Sequence, residues 1–137
     1  MKSLLNMEFE LLDDKKSYII EKIKSTVIEL IHYQDSKEHK KISYLIEEKI
    51  GLDYTYLSSL FSATEGITIE KYIILQRIER VKELLVYDEL TLSEIAWQQG
   101  YSSVQHLSYQ FKKVTGLTPS HFKEIKEDKR NSLDDVK

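Results

Sequence analysis

The 137 residues are 41% hydrophobic and 31% charged, with four Gly and one Pro, so they suit one compact, mainly helical, well-solvated domain, or one plus a short appendage. Lack of Cys excludes disulfides, thiolate metal sites and Cys nucleophiles and suits a reducing cytoplasm, and short apolar runs exclude a membrane span. A net charge of −3 is awkward for a binder of nucleic acid, where phosphate neutralisation supplies much of the affinity, so the local distribution of charge decides.

Residues 1–12 form a short lead-in. Met7, Phe9 and Leu11 alternate with Glu8 and Glu10, which fits a short strand as well as a ragged approach to a helix. The acidic residues and the lack of a long apolar stretch argue against a secretory signal. Asp13 or Asp14 can cap the first helix. From Ser17 to Tyr33, Ile19, Ile20, Ile23, Val27, Leu30 and Ile31 recur at helical spacing, with Lys22, Lys24 and Glu29 opposite. Gln34 to Lys40 is polar throughout and reads as a linker. Leu45 to Ile50 reads as a short helix stopped at Gly51. Asp53 caps the next helix, which carries Tyr56, Leu57, Leu60 and Phe61 and closes at Gly66.

A long amphipathic helix is predicted from Ile69 to Val86, before a break at Asp88-Glu89. Ser93 to Gln99 is a short helix ending at Gly100. Ser102 or Ser103 caps a helix from Val104 to Val114, which Gly116 ends. Thr118-Pro119 opens the last helix, through Lys126. Residues 127–137 read as a polar, mobile tail.

An internal repeat with an offset of 50 positions runs through the middle of the chain. Leu57 pairs with Leu107, Ser58 with Ser108, Phe61 with Phe111, Gly66 with Gly116 and Thr68 with Thr118. Ile42 pairs with Leu92 and Tyr72 with Phe122. The register slips by one residue at the turn, between Gly51 and Gly100. Shared Ser, Gly and Thr at fixed offsets go beyond the apolar periodicity of any two helical hairpins. Each copy is a short helix, a tight turn and a second helix with small or polar residues near its start. That is the logic of a helix-turn-helix, in which the second helix lies in the major groove of DNA.

The second copy resembles the AraC/XylS family of transcription regulators. It carries L-x-E-I-A from Leu92 to Ala96, G-Y-S-S from Gly100 to Ser103, and H-L-S-x-x-F-K-K-x-T-G-L-T-P-S-x-F-K from His106 to Lys123. The first copy matches in Y-L-S-x-L-F from Tyr56 to Phe61, and the long helix in R-I-E-R-V-K-E-L-L from Arg77 to Leu85. The resemblance spans Ser17 to Lys126. It implies an all-α fold of about seven helices, with two tandem, homeodomain-like helix-turn-helix lobes joined by a long linker helix. The domain then covers 13–126, with the first lobe over 17–68, the linker helix over 69–86 and the second lobe over 91–126. Many members carry a separate sensing or dimerisation domain ahead of this one. The dozen residues before Asp13 are too few to fold alone, so dimerisation or a small-molecule effector would require an upstream region.

Leu107 and Phe111 point to the core, so Val104, Gln105, Ser108 and Tyr109 share the outer face of the second recognition helix. Gln105 can pair with adenine through two hydrogen bonds, and Val104 can meet a thymine methyl. Tyr109 is large for that task and could equally pack on its own lobe. Lys112 and Lys113 are candidates for phosphate, as are Thr118, Ser120 and Lys123; Ser102 and Ser103 are caps first. In the first copy the equivalent residues are Tyr54, Thr55, Ser58 and Ser59, none cationic, where the family often has Arg or Gln. Charge is lopsided in the same sense. Lys112, Lys113, Lys123 and Lys126 against Glu124 give +3 from Ile95 to Lys126. Lys41 and Lys49 against Glu47, Glu48, Asp53 and Glu65 give −2 from Lys41 to Thr68. The expectation is that the second lobe anchors DNA and the first reads shape or a few base edges. Two recognition helices about one DNA turn apart, ~34 Å, could enter successive major grooves from a single chain.

The partners implied are double-stranded DNA and RNA polymerase, with Asp88, Glu89 and Glu94 as acidic candidates for the latter. The rival reading is a helical protein–protein interaction module, which the acidic pI near 5.8 and the nine Tyr would suit. His32, His39, His106 and His121 lack metal-ligand spacing, and no Ser/His/Asp order or Gly-rich phosphate loop appears, so neither an enzyme nor a cofactor is expected. His106 and His121 are expected to pack or bond locally.

Overall fold

The computed structural model describes residues 4–33, 41–87 and 90–134. Among them it has seven α-helices: α1 (Leu4–Tyr33), α2 (Ile42–Ile50), α3 (Tyr54–Glu65), α4 (Ile69–Tyr87), α5 (Leu92–Gln98), α6 (Val104–Thr115) and α7 (Pro119–Asp134). The expected linker at Gln34–Lys40 and the break at Asp88-Glu89 lie outside the described residues. No described helix is long and apolar enough to cross a membrane.

Packing divides the chain within α4, between Ile73 and Ile74, into two compact units. The first core gathers Ile20, Ile23, Val27 and Ile31 of α1, Ile42 and Ile46 of α2, Leu57 and Phe61 of α3, and Ile69 and Ile73 of α4. The second gathers Ile78, Val81 and Leu85 of α4, Ile95 and Ala96 of α5, Tyr101, and Leu107 and Phe111 of α6. Burying such a side chain contributes about 1.5–3 kcal/mol, so the apolar stripes account for why these segments pack as helices.

The repeat is structural as well as sequential. Leu57, Phe61, Leu107 and Phe111 are all fully buried. Phe61 meets Tyr72 at 5.5 Å between ring centroids, and Phe111 meets Phe122 at 5.6 Å. Asp53 and Ser103 each cap a recognition helix by accepting from the backbone three residues on. Thr68 and Thr118 accept from Lys71 N and His121 N in the same way. The slip at the turn is also present. Gly51 (φ 81°) is separated from its cap Asp53 by Leu52 alone, whereas Tyr101 and Ser102 stand between Gly100 (φ 79°) and Ser103.

Helices α4, α5 and α6 each end one residue from the expected bound, at Tyr87, Gln98 and Thr115, and four further bounds differ from the expectation. The lead-in is not a strand: Leu4–Leu12 belong to α1, since Leu4, Met7 and Leu11 also fall at the i, i+3, i+7 spacing of a helix, and only Phe9 departs from it. Helix α2 begins at Ile42 rather than Leu45, burying Ile42. Helix α5 begins at Leu92 rather than Ser93, set by a capping box in which Thr91 Oγ1 accepts from Glu94 N (3.1 Å) and Glu94 Oε1 accepts from Thr91 N (3.2 Å). Helix α7 continues to Asp134, through most of the stretch read as a mobile tail. Glu, Lys and Arg are good helix formers, and no Gly or Pro interrupts that segment.

Candidate nucleic-acid interface

In the second lobe, α6 starts from a neutral cap. Ser103 is extended, with φ −162° and ψ 165°, and its hydroxyl accepts from His106 N at 3.0 Å. The preceding turn is fastened by Tyr101, only 8% exposed, whose hydroxyl donates to Gln110 Oε1 at 2.6 Å. Burial pushes the Tyr101 phenol up to about 12. His106 stacks edge-on to Tyr101 (5.2 Å) and lies 3.3 Å from Ser102 Oγ through Nδ1, the local bonding expected of it. Arg77 of α4 lies beside this turn, its Nη2 3.9 Å from where a Cβ on Gly100 would sit, and burial lowers its pKa. The spacing of residues in the sequence gives no role to Tyr101 or Arg77, because the hydrogen bond of Tyr101 to Gln110 and the approach of Arg77 to Gly100 span nine and 23 residues.

The α6 side chains fall into two sets. Gln105, Lys112 and Lys113 are exposed, and Tyr109 is 69% exposed, so Tyr109 does not pack on its lobe. Val104 and Ser108 are half-buried, and Val104 packs on the second core, which limits its reach to a base. Thr118 and Ser120 are exposed near the start of α7, while Lys123 is half-buried.

The first lobe has the same frame with different chemistry. Tyr54, at the start of α3, is half-buried against the first core, and its hydroxyl donates to Glu70 Oε1 at 2.6 Å. Burial first, then Glu70, raises its pKa. Its side chain is thus committed to the lobe rather than turned outward. Tyr54 N donates to Glu47 Oε1 at 2.6 Å, and Asp53 Oδ2 accepts from Tyr56 N at 3.4 Å. Thr55 and Ser59 are exposed, Ser58 is half-buried, and Tyr56, which the repeat pairs with His106, is 49% exposed.

Three carboxylates therefore surround the start of α3. The repeat places Trp97, Ser103 and Ser120 at the positions of Glu47, Asp53 and Glu70. A helix N-terminus attracts anions through its free N–H groups and dipole. At α3 that attraction is taken up by the chain's own acids; at α6 it is met only by hydroxyls. Among the described residues there is no group of His or acidic residues arranged to hold a metal.

Two compact units, each offering the exposed face of a capped recognition helix, define a DNA-binding helix-turn-helix domain. The family model described as a helix-turn-helix domain matches residues 46–125, more than half of the chain. The chain belongs to this family, of the AraC/XylS type. It is 26% identical over 123 residues to a probable transcriptional regulator, LumQ, of Photobacterium leiognathi, covering 89% of this chain and 48% of that one. It is 28% identical over 100 residues to the xylose operon regulatory protein of Escherichia coli K12, covering 72% of this chain and 26% of that one. The chain thus spans about half or less of the length of these curated relatives, both of which are named as regulators. Among solved structures, the C-terminal domain of the response regulator yesN from Fusobacterium nucleatum is 30% identical, with a TM-score of 0.59 over 80% of this chain and 98% of that one. The DNA-binding domain of AdpA, solved with a target DNA, has a TM-score of 0.67 at 17% identity over 82% of this chain and 96% of that one, a likeness of fold.

Proposed function

We propose that this chain binds specific double-stranded DNA sites and regulates transcription in the cytoplasm, with α6 as the anchoring recognition helix. The observation that carries this reading is the electrostatic contrast between the starts of α3 and α6. Glu47, Asp53 and Glu70 repel phosphate at the first, while at the second Ser103 and Gln105 carry no negative charge, and Lys112 and Lys113 attract phosphate from the last turn of α6. Gln105 reads base edges, and Lys112, Lys113, Thr118, Ser120 and Lys123 contact the backbone, with Ser102 and Ser103 beside it. Thr55, Ser58 and Ser59 of the first lobe read shape or a few edges in the neighbouring major groove. RNA polymerase is a further partner on this reading. Glu94 is tied into the capping box of α5, and Asp88 and Glu89 lie outside the described residues, so the acidic candidates gain no support.

Selection of bound sequences from a random DNA pool supplies the site. Titrations on that site then compare two paired variants. Gln105→Ala should relax specificity at one base position and cost about 1–3 kcal/mol, while Lys112→Ala should weaken all sequences alike and lower the salt slope by about 1. If Thr55→Ala with Ser58→Ala weakened binding more than Gln105→Ala with Lys112→Ala, the assignment of the anchor to α6 would be wrong.

A further inference from the structure

Helix α1 is 30 residues long, yet among its described side chains, which begin at Glu10, those packed on the core begin only at Ile19. All residues from Glu10 to Tyr18 are exposed, with Leu11 at 62% and Tyr18 at 66%. Leu11, Asp14, Lys15 and Tyr18 stand at i, i+3, i+4 and i+7, which is one face of the helix, and together with Ile19 they line one shallow groove. Asp14 and Lys15 form no ion pair among the described residues.

This face is complementary to itself when reversed. About the midpoint between Asp14 and Lys15, the order apolar, acidic, basic, apolar reads backward as its own match. A two-fold axis through that midpoint sets Leu11 on Tyr18 of a second copy, and Asp14 on its Lys15. Parallel pairing would set Asp14 on Asp14 and Lys15 on Lys15, which is repulsive. A two-fold contact needs this kind of self-complementary patch, whereas head-to-tail contacts do not.

We infer that the N-terminal half of α1 is a self-association surface, on which two copies of this chain pair antiparallel. The contact spans about two helical turns, well short of the roughly 1,200–2,000 Å² that stable interfaces bury. Pairing is therefore weak in free solution. It becomes effective where two copies are held close, as on adjacent DNA sites, since tethering raises the effective concentration to about the millimolar range. Two-fold pairing favours inverted over direct repeats of the bound site. The sequence reading tied dimerisation to an upstream region; this surface lies within α1 itself. The inference does not depend on which lobe anchors DNA.

The chain has no Cys, so engineered thiols report without background. A disulfide needs Cα atoms within about 7 Å. Positions 11 and 18 of one helix are roughly 10.5 Å apart, as are the two copies of position 11 in the antiparallel pair, measured along the axis. Under mild oxidation at high concentration, the double variant L11C with Y18C should form covalent dimers, and L11C alone should form at least several-fold fewer. Adding D14K or K15D to the double variant should cut the yield several-fold, and adding both should restore it, because the swapped charges match again. All four positions are exposed, so helicity measured by circular dichroism should be unchanged across the set. Equal cross-linking by L11C alone would overturn the antiparallel register. No cross-linking by any variant would overturn self-association, and is the result expected if another segment or another protein covers this face.

Discussion

Tyr54 shows how one residue can belong to a recognition helix and yet be withdrawn from recognition. Sequence spacing places it on the outer face, beside Thr55. The structure spends its hydroxyl on Glu70 and its amide on Glu47. Those two acids are 16 and seven residues away, so their convergence comes from folding; the net charge of −2 from Lys41 to Thr68 counts Glu47 but not Glu70. Their effect on binding can be measured without disturbing the fold. Asp53→Asn keeps a good cap, and Glu70→Gln keeps an acceptor for Tyr54. The double variant should bind DNA more tightly at low salt. A charge pair 4 Å apart in water is worth about 1 kcal/mol, or about fivefold, so a gain of that order is expected, shrinking as salt rises. Titration at two ionic strengths checks it, and unchanged or weaker binding at low salt would mean that the start of α3 does not approach phosphate.

At the scale of elements, the repeat made most of the fold legible before any coordinates. Ser, Thr and Asp caps and terminal Gly residues are local chemistry: Asp53, Gly66 and Gly116 act where the sequence places them, and of Ser102 and Ser103 it is Ser103 that caps α6. What local chemistry could not give was the extent of α1 and α7. A short alternating stretch suits two periodicities, and polar composition does not stop a helix that lacks a breaker. Equivalence of the two copies has a quantitative consequence. Gly66 and Gly116 end their helices with φ of 77° and 83°, and a Cβ on either would meet nothing within 4 Å. Ala at each site should therefore cost only the left-handed strain, about 1–2 kcal/mol, and by nearly the same amount. Denaturant titration of G66A and G116A tests this. A difference well beyond 1 kcal/mol between them would show that the copies share a pattern but not a mechanism of termination.

For the molecule as a whole, the ionisable groups that folding perturbs toward higher pKa predict a decline at alkaline pH. Tyr54, Tyr72 and Tyr101 are raised by burial, and Lys24 is raised by its hydrogen bond to Glu65, 2.9 Å away. Each group holds its proton more tightly when folded than when unfolded. The unfolded chain therefore releases protons first as pH rises, and stability falls. The stabilisation is complete below about pH 10, where the unfolded groups are still protonated, and is lost as pH climbs through the folded values. Tyr101 gives the cleanest measurement, with its folded value near 12 and its side chain buried. It contributes a slope of up to about 1.4 kcal/mol per pH unit between those limits. Tyr101→Phe should cost about 1 kcal/mol at neutral pH, because Gln110 Oε1 loses its donor. The same variant should decline less steeply above pH 10, so that the two stability curves meet near about pH 11 and cross beyond it. Parallel curves across that range, measured by urea unfolding at fixed ionic strength, would remove Tyr101 from the account and leave the decline to the three groups of the first lobe.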